Sequence, residues 1–136
     1  MPKTLCVDFD GVLHSYEMGW QGAGIVGDPP VPGAMTWLVA CVQAFDEVCI
    51  YSSRSKEEAG VTAMKEAIER WMVDERLMSE AEAYDFTEEK LSFPTEKPAA
   101  WLTIDDRAIC FTGPPFPSMQ SMLEFRPWNK RVAKAR

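Results

Sequence analysis

Asp8-Phe9-Asp10-Gly11-Val12-Leu13 is the stretch that decides the fold of this chain, because it ends a short apolar segment with two carboxylates. The preceding Leu5-Cys6-Val7 is β-prone and uncharged, as is typical of a strand buried on both faces of a parallel sheet. Ligands bind at the carboxyl ends of such strands, and Gly11 permits a tight turn there. Because neighbouring carboxylates repel each other, the pair predicts either a protonated acid or a bound cation such as Mg²⁺.

The composition predicts one globular α/β domain spanning residues 1–136. Of the 136 residues, 46% are hydrophobic and 26% are charged, and a chain of this length buries about two thirds of its unfolded surface. No apolar run approaches the roughly 20 residues that cross a bilayer, and the N-terminus lacks the pattern of a signal peptide. We therefore expect an intracellular, cytoplasmic protein without a membrane partner.

Cysteine spacing and net charge narrow the class of protein further. The four cysteines form no C-x-x-C pair, which predicts buried reduced thiols rather than a zinc site or disulfides. The formal charge of −7 argues against general binding to a nucleic-acid backbone. Positive charge is concentrated in the tail, residues 112–136, which we interpret as a solvated terminus carrying Arg126, Lys130, Arg131, Lys134 and Arg136.

Two further predicted strands end in polar residues. Residues 47–51 run into Ser52-Ser53-Arg54-Ser55, and residues 101–104 run into Asp105-Asp106. Hydroxyls, an arginine and free N–H groups at a strand-to-helix junction predict an anion site. Ser55 with Glu58 fits a capping box, which predicts a helix from residue 55 to about residue 73 and leaves Ser52 for the site.

The remaining elements are predicted from shorter patterns. An apolar stripe predicts a helix over residues 34–45. Short apolar runs predict a third strand at residues 91–93 and a fifth at residues 108–111, and Pro98 argues against a helix through Lys97.

The segment from His14 to Gly33 is rich in glycine and proline and contains Tyr16 and Trp20. An irregular segment of this length directly after the acid pair predicts a flap over the site. His14 is the only histidine, and a lone histidine more often packs in the core or lies at the surface than it catalyses. From the flap, His14 and Trp20 would reach the substrate.

The motifs, taken together, resemble those of the haloacid dehalogenase-like (HAD) superfamily. Asp8-Phe9-Asp10-Gly11-Val12-Leu13 is similar to its motif I, Ser52-Ser53-Arg54 to motif II, Lys97 to motif III, and Ile104-Asp105-Asp106-Arg107 to motif IV. The resemblance implies a Rossmann-like fold with a mostly parallel five-stranded sheet in the order 5-4-1-2-3 and helices on both faces. The insertions after motifs I and II are too short for a separate cap domain.

The resemblance implies a phosphatase that attacks phosphorus with Asp8 and forms an aspartyl-phosphate. Asp10 would protonate the leaving oxygen and later activate water. Mg²⁺ would be held by Asp8, Asp106 and the Asp10 backbone carbonyl, with Asp105 as a secondary ligand or a support for the ligands.

The same resemblance assigns the groups that hold the phosphoryl oxygens. Ser52 would donate a hydrogen bond to one of them, and Lys97 would neutralise one while steadying Asp8. Lys90 is the alternative to Lys97. The further residues expected to face the substrate are Gly11, His14, Trp20, Ser53 and Arg54.

The substrate expected is a small phosphate ester, such as a nucleotide. A phosphatase of nucleic-acid ends is the alternative within enzymes; the basic tail permits it and the acidic total argues against it. A receiver-like signalling domain, or a phosphate-binding module without turnover, is the alternative from another class. In receivers, however, the acid pair comes first and the lysine last, whereas here a double Asp is last. The oligomeric state is left open.

Overall fold

A four-stranded parallel sheet forms the centre of the fold in the computed structural model, which describes residues 2–129. The strands lie in the order β3-β2-β1-β4, and every neighbouring pair is parallel. Their bounds are Thr4–Val7 (β1), Glu47–Ile50 (β2), Leu91–Ser92 (β3) and Leu102–Ile104 (β4). The predicted α/β class is confirmed. The four tail residues Lys130, Arg131, Lys134 and Arg136 lie outside the described range.

The α-helices of the described residues are α1 (Ala34–Ala44), α2 (Glu58–Asp74), α3 (Glu80–Asp85) and α4 (Met119–Leu123). Two of them, α1 and α2, cover one face of the sheet. The crossovers through α1 and α2 step in the same direction along the sheet, from β1 to β2 to β3. Since parallel crossovers are right-handed, α1 and α2 lie on the same face, and their buried side chains share one core with β1 and β2.

The structure differs from the expected sheet in two respects. Residues 108–111 form no strand, and Ile109 and Phe111 are exposed. Only Asp105, Asp106 and Arg107 separate that run from β4, whereas a parallel neighbour needs a crossover of about a dozen residues. The prediction of a five-stranded sheet is therefore wrong for the described residues.

The prediction of helices on both faces is also wrong for this part of the chain. The connection from β3 to β4, residues 93–101, contains no helix, and α4 has no buried residue. Proline at residues 94 and 98 explains why the short connection stays irregular. None of the helices within residues 2–129 combines the length and the apolar composition that a membrane crossing requires.

Candidate active site

Three carboxylates meet where β1 and β4 end. The hydrogen bond from Asp8 N to Ile104 O, 2.9 Å, continues the pairing of these strands and brings Asp8 beside the acids that follow β4. One carboxylate oxygen from each of Asp8, Asp105 and Asp106 lies within 4.8 Å of the others. The backbone of Phe9 donates to Asp8 Oδ1 at 2.9 Å. The predicted meeting of the first and last acid motifs is confirmed.

Burial disfavours the ionised forms of Asp8 and Asp106. Burial raises the pKa of Asp8 to about 8, and the hydrogen bond to Asp106 and the charges of Asp105 and Asp106 add to the effect. Burial also raises the pKa of Asp106. A carboxylate whose pKa rises this far is stabilised in its ionised form by a bound cation.

Gly11 makes room for this cluster. Its φ is +85°, in the left-handed region, and a Cβ on residue 11 would overlap the Asp106 carboxylate. A glycine is therefore required here for two independent reasons, backbone conformation and close approach.

A cavity of about 140 Å³ adjoins the acid cluster. Asp8, Asp105 and Lys97 line it together with Ser52 and Ser53. It thus combines two carboxylates, a lysine and two serines. Lys90 instead lines a different cavity with Asp46 and Glu47, at the amino end of β2. Of the two candidate lysines, only Lys97 lines the same cavity as Asp8.

Ser52 caps a turn, contrary to the prediction that Ser55 begins the helix. A 3₁₀ turn spans Ser53–Lys56, and Ser52 Oγ accepts a hydrogen bond from Arg54 N at 3.0 Å. Ser55 is buried and its Oγ accepts from Ser52 N. This turn comes directly after β2, so the helix α2 begins at Glu58, three residues later than expected, and Ser55 does not cap it. The Ser52 hydroxyl lies 3.5 Å from Met64 Sδ, a weak acceptor that a phosphoryl oxygen would readily replace.

Arg54 is fully buried and serves the protein itself, so the expectation that it faces the substrate is wrong. Its Nε lies 3.2 and 3.0 Å from the two carboxylate oxygens of Asp10. Its Nη1 donates to the carbonyls of Gly22, Ala23 and Ile25 at 2.7–3.1 Å. Its Nη2 has no hydrogen-bond partner within residues 2–129.

His14 is also buried, with 1% of its surface exposed, so it does not reach a substrate as expected. Its Nδ1 lies 2.8 Å from Asp10 Oδ1, and its Nε2 lies 3.1 Å from the backbone nitrogen of Asp28. The residue lies in the core because its ring stacks on Phe9 and Trp71. Asp28, which no sequence motif marked as a functional residue, is buried as well, and its carboxylate accepts a hydrogen bond from the backbone N–H of Met18.

The segment from residue 14 to residue 33 is tied to the domain at several points. Ser15 N donates to Pro29 O and Val31 N to Leu13 O, which close the base of the segment. Trp20 remains 52% exposed, and its ring lies 5.2 Å from the Arg54 guanidinium. Trp20 therefore lies at the surface above Arg54.

Tyr16, an aromatic residue of the 14–33 segment, lies with its ring centroid 5.9 Å from that of His14. Burial raises the pKa of its phenol, and the Asp10 charge adds to the rise, which places Tyr16 near the acids. Its φ is +59°, a backbone conformation that is rare outside glycine. The turn after His14 thus brings an aromatic side chain towards the site.

The C-terminal segment contacts the first acid motif, where a solvated tail was expected. Trp128 Nε1 donates to Gly11 O at 2.7 Å, and Asn129 Nδ2 donates to Ser15 O at 3.3 Å. Pro127 is buried. The sequence could not predict this contact, because the acceptor is a backbone carbonyl, which every residue carries.

Six predicted site residues thus meet at the carboxyl edge of the sheet: Asp8, Asp105, Asp106, Lys97, Ser52 and Ser53. Asp10 is not part of the three-acid cluster and does not line that cavity, and its carboxylate is held by His14 and Arg54. No protein-family model, curated protein or solved structure matches the chain. The function of this edge therefore has to be inferred from its own residues.

Proposed function

We propose that the protein is a Mg²⁺-dependent phosphatase of the HAD type, which hydrolyses a small phosphate monoester through an aspartyl-phosphate on Asp8. The observation that carries the proposal is the cavity that Asp8 and Lys97 line together, next to the cluster that Asp8 forms with Asp105 and Asp106. An anionic nucleophile, a cation for the phosphoryl oxygens and a metal-binding acid cluster are the parts that this reaction needs.

The acid cluster fits a hard divalent cation. One oxygen from each of Asp8, Asp105 and Asp106 lies within 4.8 Å of the others, so the three acids could hold one such ion between them. The pKa of Asp8 is raised to about 8, and that of Asp106 is raised as well, so ionising these acids is unfavourable in the free protein. A bound cation would make their ionised forms favourable. When bound, Mg²⁺ supplies positive charge that offsets the repulsion between a carboxylate nucleophile and a phosphoryl group.

In the first step an Asp8 carboxylate oxygen forms a bond to phosphorus while the bond from phosphorus to the ester oxygen breaks. Lys97 carries the positive charge beside Asp8 that the phosphoryl oxygens require. Ser52 and Ser53 lie on the wall of the same cavity and supply hydroxyl donors.

Asp10 is the proton donor and acceptor of the proposal. It gives a proton to the departing ester oxygen, and in the second step it takes a proton from the water that attacks the phosphorus on Asp8. Inorganic phosphate then leaves and the Asp8 carboxylate is restored. The Asp10 side chain is 11% exposed, which leaves it shielded from bulk water yet open on one side.

The order of the motifs along the chain supports a HAD-type, Rossmann-like domain without a cap. The acid pair, Ser52, Lys97 and the second acid pair occur in the family's order, and the strand order β3-β2-β1-β4 agrees with four of the family's five strands. The small cavity and the charge of −7 favour a small-molecule ester over a nucleic-acid end.

A panel of phosphate esters tests the proposal. The wild-type protein should release phosphate from at least one nucleotide, sugar phosphate, aryl phosphate or phosphorylated oligonucleotide in Mg²⁺, and should lose that activity in EDTA. Asp8→Asn, which is nearly isosteric, should abolish turnover while remaining folded. Phosphate release by folded Asp8→Asn at the wild-type rate would refute the mechanism, and activity only on oligonucleotides would show that nucleic-acid ends are the substrate.

A further inference from the structure

The single histidine of the chain bridges the second acid of the first motif and the far end of the 14–33 segment. His14 Nδ1 lies 2.8 Å from Asp10 Oδ1, and His14 Nε2 lies 3.1 Å from the backbone N–H of Asp28. The ring is 1% exposed, so neither nitrogen is available to a substrate.

These two contacts determine the tautomer of the ring. The Asp28 N–H is a donor, so His14 Nε2 accepts that hydrogen bond and carries no proton. The proton of the neutral ring therefore sits on Nδ1, which donates to Asp10 Oδ1.

The ring cannot easily turn away from Asp10. Its centroid lies 5.5 Å from that of Phe9 and 6.1 Å from that of Trp71, with interplanar angles of 29° and 24°. Phe9 and Trp71 are themselves in the buried core. The direction of the Nδ1–H group is thus fixed by packing as well as by the bond to Asp28.

The donors around Asp10 are distributed unequally between its two oxygens. Oδ1 receives His14 Nδ1 at 2.8 Å and Arg54 Nε at 3.2 Å, whereas Oδ2 receives Arg54 Nε alone, at 3.0 Å. A carboxylate oxygen accepts about two hydrogen bonds. Since the one Nε–H of Arg54 is shared between the two oxygens, Oδ1 has the additional donor from His14 and Oδ2 keeps more free lone-pair capacity.

We propose that His14 is a positioning residue for Asp10: it donates to Oδ1 and fixes its position, so that Oδ2 is the atom that holds the proton transferred in the reaction. The inference rests on the proposed phosphatase function, since it concerns the proton donor of that reaction. A misplacement of about 1 Å in such a donor costs on the order of 10²-fold in rate.

The tautomer is tested on the unmodified protein without any assay of activity. Because the chain contains one histidine, ¹⁵N-histidine labelling gives a single pair of ring nitrogen signals. We expect protonated Nδ1 and unprotonated Nε2 at neutral pH. An unprotonated Nδ1 would overturn the proposal, because His14 would then have no proton to donate to Asp10 Oδ1.

Two substitutions separate the two contacts of His14. In His14→Asn the amide nitrogen lies as many bonds from Cα as Nδ1, so a donor to Asp10 is kept and the reach to Asp28 is lost. In His14→Gln the terminal amide lies as many bonds from Cα as Nε2, so the reach to Asp28 is kept and the donor to Asp10 is lost. Both variants are neutral and remove the ring.

The readout is kcat/KM on two esters of similar shape, phenyl phosphate and p-nitrophenyl phosphate. Phenol leaves poorly and needs the proton from Asp10, whereas p-nitrophenol leaves with little help. We expect His14→Gln to lose about 10²-fold on phenyl phosphate and less than about 10-fold on p-nitrophenyl phosphate. His14→Asn should keep the ratio of the two esters within about threefold of wild type, as expected when the Asp10 contact is retained.

The outcomes distinguish the inference from the function on which it rests. Equal losses on both esters, or a larger change of the ratio in His14→Asn than in His14→Gln, would show that His14 only ties the segment at Asp28, and would overturn the inference alone. Wild-type protein that releases phosphate from neither aryl ester nor any member of the wider panel would overturn the phosphatase and the inference together.

Discussion

The Asp106 carboxylate occupies the space that a Cβ on Gly11 would fill. The contact joins the first acid motif to the second across the β1–β4 pair, and any side chain at residue 11 must displace Asp106. Because Asp106 belongs to the acid cluster, the position of this one glycine controls whether the three carboxylates can meet.

We therefore expect Gly11→Ala to lose activity and Mg²⁺ binding out of proportion to its loss of stability. Gly33→Ala is a matched control, since Gly33 has a φ of +83° against +85° for Gly11 but nothing lies near its missing Cβ. Both substitutions carry a similar backbone cost of roughly 1–2 kcal/mol, measurable by denaturant unfolding. Equal Mg²⁺ affinity of the two variants, measured by calorimetry, would contradict the role given to the contact.

The stability of the metal-free protein should depend on pH through Asp8. Its pKa is raised from 3.8 to about 8 in the folded state, so between these values the folded state binds more protons than the unfolded state. The Asp8 contribution to the free energy of unfolding therefore falls as pH rises from about 4 to 8.

In EDTA, Asp8→Asn should melt at a higher temperature than wild type, with a gap that widens from pH 5 to pH 8. Mg²⁺ should stabilise wild type much more at pH 8 than at pH 5, because it replaces the proton on the acids. A difference in melting temperature that narrows with rising pH would mean that ionising Asp8 does not destabilise the metal-free protein.

Lys97 and Lys90 form a second matched pair. Lys97→Ala should lower kcat by about 10²–10³-fold, the usual loss for one preorganised contact to a developing charge. Lys90→Ala should leave kcat within about twofold of wild type, because Lys90 lines a cavity at the other end of β2 and lies outside the reach of such a contact. The reverse result would reassign the cation of the site.

The contribution of Trp20 to substrate binding is best measured by comparison with Trp101 as a control. Each is more than half exposed, and each lies over a cation, Arg54 at 5.2 Å and Lys3 at 4.7 Å respectively. Substitution by Ala should therefore cost each variant about 1 kcal/mol of stability, well below the 3–5 kcal/mol typical of a buried Trp. Only Trp20→Ala should change KM or substrate preference, since only Trp20 stands above the Arg54–Asp10 pair. Unchanged kinetics across the ester panel would exclude a substrate role for Trp20.

The sequence allowed β1, β2 and the meeting of the acids to be predicted because each depends on a local signal. Leu5-Cys6-Val7 is a β-prone apolar run that ends in polar residues, a pattern that favours a buried strand, and parallel strands all end at the same edge. The prediction of a fifth strand was wrong because the connection after β4 is too short for a parallel crossover. The apolar run at residues 108–111 contains no information about the length of connection that a parallel strand needs.

The partners of His14 and Arg54 could not be predicted for a different reason. Arg54 binds backbone carbonyls at residues 22, 23 and 25, and His14 accepts from the backbone of Asp28. Every residue offers such groups, so the sequence contains no mark of which ones are used. Their closeness to the motifs predicted substrate contact, whereas the folded chain uses both side chains to hold Asp10.

Arg54 has one consequence for how the protein moves. A single guanidinium holds both the Asp10 carboxylate and three carbonyls of the 14–33 segment, so displacing either set of acceptors leaves a buried charge with half of its partners. By reciprocal linkage, whatever breaks the contact between Arg54 and Asp10 loosens the segment, and whatever displaces the segment loosens the hold on Asp10. Movement of the Asp10 carboxylate and release of the chain above it are therefore two readings of one equilibrium, so the segment opens most easily when Asp10 is held least firmly.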